Sequence, residues 1–193
     1  MSFCYFAVYK PFGFLSQFSG EKSDHLLGEL FDFPKDVYPI GRLDKDSEGL
    51  LILTNDNVLK HRLLDPISKH TKSYLVQVEG EIHAQAIELL MNGSLEIKHN
   101  NKNYRVNKAH CQKVNPPNLP DREPPIRFRA NIPTSWIKLT LTEGKNRQVR
   151  KMTAAVGFPT LRLIRISIGA YEPQLQIGQV CELTAHEKEL LLK

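Results

Sequence analysis

The chain predicts an α+β fold built from hairpins and short helices, without a regular βαβ alternation. Three observations carry this. Segments of period two, rich in Val, Tyr and Ile, stand at 3–9, 72–78 and 136–141. Helical patterns fall between and after them at 57–64, 84–91 and 146–156. No Gly-rich dinucleotide fingerprint follows any strand, and Gly144-Lys145 lacks the upstream glycine and following hydroxyl residue of a P-loop.

Taken in order, residues 3–9 read as a strand that stops at Lys10-Pro11 and Gly13. Ser23-Asp24 offers a cap for a short helix through Phe31, and Pro34 ends it. The apolar run 50–53 reads as a buried strand. Residues 57–64 read as a helix with Val58, Leu59, Leu63 and Leu64 facing inward. A strand at 72–78 precedes a helix at 84–91, which Asn92-Gly93 stops. Further β segments are expected near 94–97 and 104–114. The proline-rich stretch 115–135 reads as a long loop, a length that in compact domains accompanies function or mobility. Residues 136–141 form a strand, and 146–156 a helix closed by Gly157-Phe158-Pro159. Late strands follow at 161–168 and 180–183, with a helical turn at 187–192.

The 193 residues suit one domain, or one domain with two lobes near 1–70 and 71–193. Lys and Arg number 26 against 21 Asp and Glu, a moderate excess that permits a polyanionic partner without requiring one. Cys4, Cys111 and Cys181 are far apart and form no CxxC pair, which argues against a zinc ribbon or disulfide framework. The N-terminus has no signal-peptide pattern, and no apolar stretch is long enough to span a bilayer. A cytoplasmic chain without membrane contact is expected. The seven histidines show no metal spacing.

The densest chemistry lies in "GRLDKDSEGLLILTND", which begins at Gly41. Asp44, Asp46, Glu48 and Gly49 occupy positions one, three, five and six of an EF-hand loop. Position twelve would be Asn55, which cannot give a bidentate carboxylate, and Pro39 and Gly41 sit where the entering helix belongs. Asp44 and Asp46 also have the spacing of a magnesium-dependent phosphatase. Gly41-Arg42 interrupts the strand that chemistry needs, and no later Asp pair completes the metal site. A single aspartate nucleophile is the third reading.

Four motifs in order favour the third. "GRLDKDSEGLLILTND" resembles the segment around the catalytic aspartate of pseudouridine synthases. "VYKPFG" is similar to the turn that opens these domains, and "TKSYLVQVEG" to the strand that carries their active-site tyrosine. "LTEGKNRQVRKMTAAVGFPTLRLIRISIGAY" resembles their basic helix and closing strand. The resemblance runs from about Tyr9 to Tyr171 and is closest to the branch that modifies ribosomal RNA at single sites. It implies the pseudouridine synthase fold: a mixed, mostly antiparallel sheet in two lobes flanked by helices, with the active-site cleft between them. It also implies one catalytic domain over 1–193, without the N-terminal S4-type RNA-binding domain common in this branch.

The resemblance also carries specific implications for chemistry. Asp44 is the essential carboxylate, Arg150 the cation paired with it, and Tyr74 the aromatic partner of the flipped base. Leu163 or Ile164 provides an apolar pocket floor. Asp46 and Glu48 shape the turn, and Ser47 holds it by accepting backbone hydrogen bonds. Arg42, Lys145, Arg147, Lys151 and Arg127 contact RNA, with Lys10, Arg122 and Arg129 extending the track. The reaction is an isomerisation and implies no cofactor and no metal. The implied substrate is large-subunit ribosomal RNA, and the enzyme is expected to be a monomer. A noncatalytic RNA-binding protein is the rival reading. It would keep the basic helix without needing Asp44.

Overall fold

The protein is described by a computed structural model covering residues 2–126, 129 and 131–193. It divides into two compact units. The first joins Met1–Thr71 to Ile164–Lys193, and the second is Lys72–Leu163. The division differs from lobes at 1–70 and 71–193, because the last thirty residues return to the first unit.

In the first unit, strand β1 (Tyr5–Lys10) and strand β5 (Glu48–Thr54) form an antiparallel pair, Tyr5 opposite Thr54 and Lys10 opposite Gly49. Strand β12 (Val180–Glu182) pairs antiparallel with the other edge of β1. The end of strand β11 (Thr160–Ile168) runs parallel to β5, Ile164 opposite Glu48 and Arg165 opposite Gly49. A short strand β4 (Tyr38–Pro39) also pairs with β5. Every residue of β5 is buried. The reason lies in the period of two. Phe6, Val8, Leu51 and Leu53 enter one cluster, while Ala7, Leu50 and Ile52 enter another on the opposite face. Helix α1 (Asn57–Leu64) supplies Leu59 and Leu63 to the second cluster. Val58 and Leu64, expected to face inward, are exposed, because one narrow stripe of an eight-residue helix suffices to cover that face.

The expected helix near residues 24–31 is reduced to a single 3-10 turn, Leu27–Glu29. Before it, strand β3 (His25–Leu26) pairs with strand β2 (Phe14–Leu15). Asp24 does not cap the 3-10 turn. Its carboxylate accepts the Glu21 N–H and the Lys45 ammonium instead. Phe31 and Phe33 then pack on Phe6, with ring centroids 5.6 and 5.3 Å away. Packing those rings on Phe6 competes with helix continuation and wins.

The second unit is built on strand β10 (Thr134–Leu141), antiparallel to strand β6 (Lys72–Glu79) on one side and strand β9 (His110–Val114) on the other. Tyr74, Val76 and Val78 alternate into one core with Ile137, Leu139 and Leu141. Helix α2 (Ala84–Met91) adds Ala86 and Leu90, and helix α3 (Gln148–Ala155) adds Val149 and Met152. A separate hairpin joins strand β7 (Glu96–His99) to strand β8 (Lys102–Arg105). The chain closes with helix α4 (Ala185–Leu191), capped reciprocally by Thr184 and Glu187. Among the described residues no helix is long and apolar enough to cross a membrane.

One contact fixes the register of β5 against β11. Gly49 has φ +101°, and a Cβ there would lie 2.2 Å from the Arg165 carbonyl oxygen. Backbone cannot yield as a flexible side chain can. Gly49→Ala should therefore cost at least about 3 kcal/mol of unfolding free energy, at or above the top of the usual range for one substitution. Urea denaturation measures it, and a loss below about 1 kcal/mol would show that the strands can separate cheaply.

Candidate active site

The Asp44 segment belongs to the first unit. The Asp44 carbonyl accepts the Ser47 N–H at 3.0 Å, closing a turn just ahead of β5. The segment after β1 grips this turn on both sides of Asp44. Ser16 is 5% exposed, accepts the Leu43 N–H at 3.0 Å and donates to the Leu43 carbonyl at 2.8 Å. Gly13, at φ +84°, donates its N–H to the Lys45 carbonyl at 2.8 Å. Lys45 reaches Asp24 at 2.7 Å. Asp44 itself is half-buried, on a backbone whose neighbours are tied down. Arg42, two residues earlier, is exposed.

Lys10 anchors the gripping segment. It is fully buried, and its ammonium donates to the carbonyls of Pro11 at 2.9 Å and Phe14 at 2.8 Å. Burial pulls it down to about 8. The carboxylates of Glu48, Asp46 and Asp44 act the other way, and the Arg165 guanidinium adds to the lowering. Two buried cations, Lys10 and Arg165, thus share surroundings with three carboxylates. Arg165 donates Nε–H to the Leu50 carbonyl at 2.7 Å.

Several expectations change here. Lys10 is no part of a surface phosphate track, because it is wholly enclosed. Ser47 does not hold the turn with its side chain. Its buried hydroxyl has no hydrogen-bond partner among the described residues, and the backbone N–H does that work. Glu48 is a buried strand residue, 2% exposed, and shapes no exposed turn. The calcium loop fails on fold, since β5 stands where loop and exit helix would be, and Asn55 accepts the Cys4 N–H at 2.8 Å. Sequence reasoning missed Ser16 and Arg165. Ser16 gives no local signal, because its partner lies 27 positions away.

The other expected residues, Ile164 apart, lie in the second unit. Tyr74 is 8% exposed and stands opposite Leu139 in the β6–β10 ladder. It shares a core cluster with Val149 and Leu163. Leu163 and Ile164 are successive strand residues and face opposite ways, so a single floor can take only one of them. Leu163 is the one that accompanies Tyr74. Helix α3 begins at Gln148, two residues later than expected, because Arg147 adopts a left-handed conformation at φ 54°. Lys145 and Arg147 therefore stand in the approach to the helix, and Arg150 and Lys151 in its first turn. The Arg150 guanidinium lies 3.4 Å from the Thr160 carbonyl. Buried Gln148 ties the approach down, accepting the Lys145 N–H at 2.9 Å and donating to Glu143. Arg129 is engaged by Glu79 at 3.3 Å, and Arg122 bonds back to Pro124 and Pro125. Arg127 lies outside the described residues.

The family described as RNA pseudouridylate synthase matches residues 4–155. The chain belongs to that family. A relative in Xanthomonas campestris pv. campestris, named ribosomal large subunit pseudouridine synthase E, is 47% identical over 173 residues, 88% of this chain and 90% of its own length. A relative of the same name in Vibrio parahaemolyticus is 48% identical over 175 residues, 90% of this chain and 71% of its own. Among solved structures, one titled as a pseudouridylate synthase superposes with a TM-score of 0.78 at 26% identity, over 98% of this chain and 74% of that one. The α+β fold expected for the family is therefore the observed one, with the mixed, mostly antiparallel pairing described above.

The buried Lys10 gives a pH test. Its pKa is lower in the folded chain, about 8 against 10.5 unperturbed, so between those values the unfolded chain binds more protons. Stability contributed by this group then rises with pH through that window and is flat below it. Lys10→Met removes the titration. The unfolding free energy of wild type relative to Lys10→Met should rise by on the order of 2 kcal/mol between about pH 7 and pH 10. Urea melts at both pH values check this, and a constant difference would mean that Lys10 titrates normally.

Proposed function

We propose that this chain converts uridine to pseudouridine in large-subunit ribosomal RNA, with Asp44 as the essential carboxylate. The observation that carries the reading is the turn itself. A half-buried aspartate is presented between two backbone positions clamped from a distant segment, in a chain that belongs to the pseudouridylate synthase family. The two relatives above are named for the large ribosomal subunit, which supports the choice of RNA.

In this reaction the C1′–N1 bond breaks, the base turns, and a C1′–C5 bond forms. C5 loses a proton and N1 gains one, so no oxidant, reductant or energy source enters. A base stacked in RNA is out of reach, so the nucleotide must be extruded first. Tyr74 is proposed as the aromatic face that receives the base, with Leu163 as the apolar surface beside it. Arg150 provides the positive charge that the chemistry needs. Arg42, Lys145, Arg147 and Lys151 bind the phosphates around the target.

Asp44→Asn is nearly isosteric and leaves the clamps on Leu43 and Lys45 in place. It should abolish tritium release from RNA labelled at uridine C5 while RNA binding stays near wild type. Substantial residual turnover would remove Asp44 from the central role. The same assay run with a chelator separates this reading from a metal-dependent phosphatase, since the isomerisation should be indifferent.

Arg150→Met keeps the apolar stem and deletes the charge. Single-turnover rates at saturating RNA should fall at least about a hundredfold, the scale of losing an electrostatic contact made in the transition state. A normal rate there, together with weakened binding, would make Arg150 a phosphate ligand instead.

A further inference from the structure

A second run without acidic residues lies outside the helix that the family motif marks. Residues 97–120 contain Lys98, Lys102, Arg105, Lys108 and Lys113 and no Asp or Glu. Much of this run is the β7–β8 hairpin. Its tip is a two-residue connection, Asn100 at φ 49° and Asn101 at φ 61°, the left-handed pair that suits the twist of a tight hairpin. The tip is therefore a shaped projection that presents its side chains in fixed register.

That register sorts the cations. Ile97 stands opposite Tyr104, and His99 opposite Lys102. These four share one face, and Ile97 is buried in the core of the second unit. Glu96, Lys98, Asn103 and Arg105 share the other, where Asn103 donates to Glu96 at 3.2 Å and Arg105 to the Gly93 carbonyl at 2.8 Å. Lys113 is taken by Glu81. Lys102, exposed at the tip, remains on the face of Tyr104.

Tyr104 joins this face to the approach of α3. Its hydroxyl donates to Glu143, and the Lys145 ammonium lies 5.1 Å from its ring centroid. Glu143 also accepts the Asn107 N–H at 3.0 Å and a bond from Gln148. The Glu143 hydrogen bond holds the Tyr104 phenol protonated, pushing it up to about 12. Glu143 is thus occupied on the protein side, and Lys145 lies over the Tyr104 ring. Lys102 is two strand positions from Tyr104, about 7 Å along the strand.

We infer that the β7–β8 hairpin is a second RNA-contacting arm, in which Lys102, on the strand face of Tyr104, and Lys145, over the Tyr104 ring, hold neighbouring phosphates of the strand that flanks the target nucleotide. The inference rests on the RNA-modifying reading above and extends the contact surface beyond the α3 region. The occupant is the sugar–phosphate backbone, read without base sequence, because the arm offers cations and the engaged Tyr104 ring, while the half-buried His99 ring packs edge-on against Tyr104 at 6.0 Å.

The test uses the full chain and a transcript of large-subunit ribosomal RNA, with binding measured across a salt series. Lys102→Ala should weaken binding severalfold at low salt and reduce the slope of log affinity against log salt by about 0.7 to 0.9, the loss of one phosphate contact. Lys102→Arg should restore both. Turnover at saturating RNA should stay at wild type, with the effect confined to KM. Lys113→Ala removes the same charge from a lysine already held by Glu81 and should leave the slope unchanged. An unaltered slope in Lys102→Ala overturns the arm and leaves that charge for an acidic protein. An equal loss in Lys113→Ala also overturns it, since general charge would then suffice. Absence of turnover in wild type would instead sink the enzymatic reading, which the binding slopes do not depend on.

Discussion

The ammonium of Lys10 is the interaction on which the Asp44 region depends. It lies at the end of β1, wholly enclosed, and satisfies two carbonyls of the turn after that strand. An unpaired buried charge is costly, so the turn cannot open without exposing or orphaning that group. The closed turn in turn sets Gly13 and Ser16 against Lys45 and Leu43. A carboxylate that must meet a substrate atom precisely enough to react gains little from its own side chain's reach. It gains from a backbone that does not move, and this backbone is fixed from a segment distant in sequence.

The same region concentrates charge to an unusual degree. Lys10 and Arg165 share their surroundings with Glu48, Asp46 and Asp44. Glu48 and Arg165 are each at least 95% enclosed, with exposures of 2% and 5%. Such groups persist only when opposite charge and hydrogen bonds offset the loss of water. They add little net stability, yet they penalise any arrangement that separates them. The cluster therefore specifies one geometry more than it deepens the energy well.

Much of this architecture is legible in the residues. Helices α1 and α2 begin and end where the patterns place them, because Asp56 and Asn92-Gly93 are local signals. The all-buried β5 follows from an apolar run that needs no partner to be recognised. The failures share one cause. The stretch around residues 24–31 has the composition of a capped helix, but aromatic packing on Phe6 and the pull of Lys45 on Asp24 are tertiary effects. Ser47 looks like the residue holding the turn because it is adjacent, whereas Ser16 does so from across the fold. Lys10 looks like surface charge because lysine usually is. The family motifs mark Asp44, Tyr74 and Arg150 directly, but nothing in them points to Glu143 and Tyr104 as a joint between helix approach and hairpin.

The split of the first unit has a consequence for how the chain is made. Residues 72–163 form a contiguous unit that can close as soon as it leaves the ribosome, since domains tend to fold in order of synthesis. The first unit cannot. Glu48 and Gly49 emerge early, but the strand residues they pair with, Ile164 and Arg165, arrive only after the whole central unit, and β12 and α4 later still. The newborn protein thus spends most of its synthesis with β5, its most apolar strand, lacking one of its neighbours. The strand that follows the Asp44 turn is among the earliest segments synthesised and among the last to gain its full set of neighbours.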